Sequence, residues 1–101
     1  MASGSMRKVC GAFYGTGAQL DVRTVGFRPV HVKLINAGGL VLGEWMEGMA
    51  DASALKQVNA DTTQIILAST NGITPLSDGF RLGADTDLNV SGELVHYAVE
   101  G

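Results

Sequence analysis

From Val9 onward, apolar residues recur at every second position in short stretches cut by Gly, Asn, Asp and Pro, without a sustained helical period. Such alternation turns one face of each stretch to a core and the other to solvent, which constrains the chain to strands joined by tight turns. Val9, Gly11 and Phe13 share the face of a first strand, and Ala18, Leu20 and Val22 line the next. Gly15-Thr16-Gly17 between them predicts a hairpin. Arg28-Pro29 opens a third strand, with Val30, Val32 and Leu34 on one face and His31, Lys33 and Ile35 on the other. Asn36-Ala37-Gly38-Gly39 then turns the chain. Residues 40–47 are apolar on both faces, Leu40 and Leu42 against Val41 and Trp45, as a central or interface strand would be. Over residues 48–59 the alternation lapses, and Asp51 is placed to cap one helical turn containing Ala52, Ala54 and Leu55. Further strands are predicted at 64–69, 79–82, 88–90 and 93–99, where Val95, Tyr97 and Val99 alternate with His96 and Ala98.

Seven or eight strands of this spacing predict an all-β fold, a single small antiparallel β-sandwich or compact barrel over residues 9–101. Before it, Met1, Ala2, Ser3, Gly4, Ser5, Met6, Arg7 and Lys8 hold no periodic apolar pattern and are expected to form an extended arm; a vector-derived leader is the alternative origin of the first five.

A chain of 101 residues has room for one core. Charged residues make up 17% of it, against roughly 25% in soluble domains, while apolar residues reach 46%. Apolar side chains in excess of one small core belong between subunits or against a larger partner, so an obligate assembly component is expected. Seven Lys and Arg against ten Asp and Glu, a net charge of −3, argue against binding nucleic acid. Cys10 is the lone cysteine and has no internal disulfide partner, which fits assembly in a reducing cytoplasm. Neither an apolar run of membrane-spanning length nor the apolar core of a signal peptide is present, so no membrane partner is expected.

Catalytic vocabulary is sparse. Gly15-Thr16-Gly17 starts like a dinucleotide fingerprint, but Leu20 stands where its third glycine belongs and no long helix follows. There is no Gly-x-Ser-x-Gly elbow and no Lys-bearing phosphate loop. His31 and His96 are both mid-strand and could face each other across a sheet, yet no third metal ligand is evident. Asp85-Thr86-Asp87-Leu88-Asn89 opens like a calcium loop, but Val90 takes the place of its glycine and His96 that of its bidentate glutamate. Glu44 and Glu47 flank Trp45 as a glycosidase pair might, but residues three apart on a strand point to opposite faces. No catalytic residue, metal or cofactor is therefore expected. Trp45, Tyr14 and Tyr97 suit either a core or a binding surface. Glu44, Trp45, Met46 and Met49 are together the expected subunit interface.

The string Gly26-Phe27-Arg28-Pro29-Val30-His31-Val32-Lys33-Leu34-Ile35-Asn36, then Glu44-Trp45 and Gly48-Met49-Ala50-Asp51, resembles small virion proteins of tailed bacteriophages and prophages. Ser69-Thr70-Asn71-Gly72-Ile73-Thr74-Pro75, Gly79-Phe80-Arg81-Leu82-Gly83 and Asp87-Leu88-Asn89-Val90-Ser91-Gly92 extend the resemblance over most of residues 26–99. It implies a structural component of the particle working in many copies, and it carries over no catalytic residue. The expected function is capsid decoration: a homo-oligomer, expected to be a trimer, made in the host cytoplasm and bound to the major capsid protein on the virion surface, with residues 1–8 contacting the shell. The alternative is a tail, spike or fibre module that recognises the host surface, and a third class is a small carbohydrate-active enzyme using Glu44 or Glu47.

Overall fold

The computed structural model describes residues 7–59 and 63–101. It holds eight strands and, among the described residues, no helix. They are β1 Lys8–Tyr14, β2 Leu20–Val22, β3 His31–Asn36, β4 Val41–Met46, β5 Ser53–Asn59, β6 Thr63–Leu76, β7 Gly79–Leu82 and β8 Leu94–Glu100. All pair antiparallel in one sheet of order β1-β8-β3-β4-β5-β6-β7-β2, curled into a half-barrel.

The curl brings distant strands of that order together. The ring of Phe13 on β1 lies 6.3 Å from Phe80 on β7, and Tyr97 on β8 lies 6.2 Å from the first and 5.5 Å from the second. This aromatic cluster packs with inward Val32, Leu34, Val41, Trp45, Leu82, Val95 and Val99 to form the core. Gly11, mid-strand in β1, is where the Tyr97 phenol lies over the backbone, and a Cβ there would run into the ring.

Several sequence expectations are corrected. β1 and β2 do not form a hairpin: β1 pairs with β8 and β2 with β7, at opposite edges of the sheet. Alternation specifies which face of a strand is buried but not its neighbour, and the curl lets a short link cross from one edge to the other. Residues 51–55 form no helical turn; Asp51 and Ala52 make a turn, with Ala52 at φ 63°, and β5 follows. From Ala54 on β5 does alternate, but its inward set includes charged Lys56 while Leu55 points outward, and a register shift sets buried Ser53 apart, which disguised the period. Residues 88–90 are an irregular loop, whose Leu88 is nevertheless a fully buried core residue.

The strand expected at 64–69 runs on to Leu76. Its two halves are separated by a register shift, because Ala54 pairs with Ala68 and the preceding Ser53 with Ile73. Asn71, in the skipped stretch, takes φ 59°, a left-handed conformation that asparagine tolerates better than most residues. Of the expected arm, Arg7 and Lys8 belong to the sheet: Arg7 and Gly101 exchange two backbone hydrogen bonds of 3.0 Å, and Lys8 opens β1. Met1, Ala2, Ser3, Gly4, Ser5 and Met6 lie outside the described residues.

Candidate interaction surface

Directly opposed residues on neighbouring strands share a face, so the register spells out the outer surface. One row runs His96, Ile35, Leu42, Gln57, Ile65 across β8, β3, β4, β5 and β6. The next runs Ala98, Lys33, Glu44, Leu55, Leu67. Aliphatic side chains thicken toward β6, where Ile65 is 72% and Leu67 66% exposed beside Leu55 at 47%. Leu40, at φ 55° in the β3–β4 turn, adds to the apolar wall of a cleft of about 340 Å³ formed with Ile35, Leu42 and Gln57.

β6 is also incompletely paired. Residues 64–68 bond to β5 alone, whereas Ile73, Thr74, Pro75 and Leu76 pair with β7. Among the described residues the first half of β6 is therefore a free edge, and Ile66, on the opposite face from Ile65, is exposed as well. Sequence reasoning found this strand without recognising its surface role. The available signal was Ile65-Ile66-Leu67: adjacent residues in a strand point to opposite faces, so three consecutive aliphatics leave apolar surface outward when only one side is covered.

Polar side chains are mostly spent on one another. The His31 ring sits between two carboxylates, Nε2 at 2.8 Å from Glu44 and Nδ1 at 3.0 Å from Glu100. Both ring nitrogens face acceptors, the arrangement that an imidazolium with two N–H donors satisfies. The Glu100 contact, opposed by partial burial and reinforced by Glu44, raises the His31 pKa. The same bond holds the Glu100 carboxyl below its usual range, with Lys8 adding to the effect. His96 lies opposite Ile35 and Ala12, so the two histidines do not face each other.

The calcium-like loop holds a cation of the protein's own. Lys56 projects inward from β5 and donates to Asp85 at 2.9 Å and to Asp87 at 2.7 Å. Asp85 also accepts the backbone N–H groups of Asp87 and Leu88 with its other oxygen, closing the loop on itself. Asn89 continues the network: its Oδ1 accepts from the Thr16 and Gly17 amides, and its Nδ2 donates to the Ala18 and Gly83 carbonyls. It thereby clamps the β1–β2 link to the β7–β8 loop. Buried Asn36 fastens the β3–β4 turn to the same loop, donating to Asp87 O and Glu93 and accepting from Gly39 N.

Of the expected interface residues, Trp45 is a core residue, 1% exposed, with its indole N–H donating to Ala50 O. It occupies an inward position of β4. Glu44 and Met46 do face outward, the former bound to His31, while Met49 is half-buried against the core. Glu47 pairs with Arg28 at 2.8 Å beyond the end of β4, so the two glutamates engage different partners. Tyr97 belongs to the core and Tyr14 is exposed. No protein-family model, curated protein or solved structure matches the chain.

Proposed function

We propose that this chain is a structural, non-enzymatic subunit of a tailed-phage particle, a homo-oligomer that binds the major capsid protein and decorates the outer shell. The observation that carries this reading is the outward aliphatic face of Ile35, Leu42, Leu55, Ile65 and Leu67. Fully burying one such side chain is worth about 1.5–3 kcal/mol, so several together favour association strongly. A repetitive shell multiplies that gain, because a subunit held at one contact meets the next at high effective concentration. The resemblance of residues 26–99 to small virion proteins supports the particle as the setting, and residues 1–8 supply the reach onto the shell. Arg7 bonds to Gly101 and Lys8 opens β1, an edge strand, where strand addition to a neighbour is feasible.

The shell is favoured over a tail or spike module. Host-glycan recognition relies on exposed aromatic rings, and of Trp45, Tyr97 and Tyr14 only Tyr14 is exposed. Electron microscopy of particles assembled with and without the protein tests the proposal. Added density on the shell and greater heat resistance are expected; identical maps and identical inactivation curves would overturn it. Removing residues 1–6 should lower occupancy on the shell while leaving thermal unfolding of the free protein unchanged.

A further inference from the structure

The geometry points to the free edge of β6, residues 64–68, as the seam at which a second copy of this chain adds on, antiparallel to its own counterpart. The inference rests on the reading of the chain as a multi-copy subunit and names the contact that joins the copies. An edge strand offers a row of unpaired N–H and C=O groups, and proteins that stay monomeric blunt such edges with Lys, Pro, strong twist or a covering element. Here no charge occurs between Asp61 and Asp78, and the first proline after Asp61 is Pro75, in the half already paired with β7. Among the described residues the edge is unprotected along the length where it is free.

Its side chains select a copy of itself. A two-fold axis near Ile66 sets Ile65 against Leu67 and Gln64 against Ala68, so opposed pairs are aliphatic or neutral and no like charges meet. A charged partner strand would find no counter-charge on residues 64–68. The pairing leaves the fold undisturbed, because β5 already holds the other side of the strand and the register shift at 69–72 separates it from the β7-paired half. Ile65, Leu67 and Leu55 of both copies then merge into one continuous outer aliphatic surface, available to a larger scaffold. Self-pairing closes on a two-fold axis, so the unit is a dimer, where the sequence led to the expectation of a trimer.

The test uses the full chain. Light scattering coupled to size exclusion should give a dimer for the wild type. Ile65→Lys with Leu67→Lys should weaken dimerisation roughly 100-fold or more, since the new ammonium groups face each other across the seam. Both positions are well exposed, so the variant should keep its circular dichroism and melting curve. Tyr14→Lys, on β1, is the control and should leave the dimer intact. Amide exchange supplies the second readout: outward-pointing N–H groups in residues 64–68 should be protected in the wild-type dimer and exposed in the double variant. A multimer that survives both lysines, or one in which those amides exchange freely, would overturn the seam while leaving the multi-copy reading intact. A wild-type chain that remains monomeric at high concentration would overturn both.

Discussion

The ammonium of Lys56 lies 2.9 Å from the carboxylate of Asp85, inside the curled sheet, with side chains only 8% and 5% exposed. Burial works against the charged lysine, but the hydrogen bonds it donates to Asp87 and Asp85 outweigh it and raise its pKa. Removing one partner of a buried pair costs more than the pair contributes, because the remaining charge stays desolvated. Lys56→Met should therefore destabilise the domain by about 3 kcal/mol. Adding Asp85→Asn should return part of that loss, since a neutral amide tolerates the site and half-exposed Asp87 can turn to water. Urea unfolding of the two single variants and the double variant measures the coupling; additive losses would show that the pair does not act as a unit.

Stability should depend on pH through His31. Its pKa is raised above the ordinary 6.5, so the contribution of the Glu100–His31–Glu44 cluster is complete below that value and is lost as pH climbs through the folded-state pKa. Glu100, lowered from 4.5, acts in the opposite sense: its contribution is present above 4.5 and disappears as pH drops through its folded-state value. Maximal stability from the cluster therefore falls between these limits. Melting temperatures from pH 4 to 9 should decline on the alkaline side for the wild type and flatten there in His31→Gln.

Asn89 adds four side-chain hydrogen bonds between two links whose backbones also meet where Gly15 bonds to Gly92 and Glu93. Asn89→Ala strips four hydrogen bonds from the junction and leaves the half-buried Gly83 carbonyl without its Asn89 donor. A loss of about 2 kcal/mol is expected. Amide exchange should quicken first at Thr16 and Gly17, before the β3–β4 ladder opens; uniform quickening across the sheet would argue against a local clamp.

Gly79 begins β7 where the backbone of Val22 on β2 crosses it, and a Cβ at this position would collide with the Val22 carbonyl. Backbone cannot yield as a flexible side chain can. Gly79→Ala should cost about 1–3 kcal/mol. The strain should appear as loss of the β2–β7 pairing, read by faster amide exchange at Leu20 and Val22, while Gly92→Ala, whose added Cβ meets open space but whose φ is 83°, should act through backbone strain alone.

What the amino-acid order settles by itself is local. Val32 and Leu34 against His31 and Lys33, or Val95, Tyr97 and Val99 against His96, each specify a strand and its buried face, because side chains alternate by geometry whatever lies alongside. The all-β class and most strand positions follow from such local information. Which strands become neighbours does not: Gly15-Thr16-Gly17 looks like a hairpin turn, yet it bridges two edges that only the curl of the whole sheet brings close. Lys56 seemed to break the pattern of β5 until Asp85 and Asp87, far along the chain, folded over it. Leu55, Ile65 and Leu67 could have belonged to a core, and tertiary structure left them outside because one half-barrel has one interior, already filled by Trp45, Phe80 and Leu88.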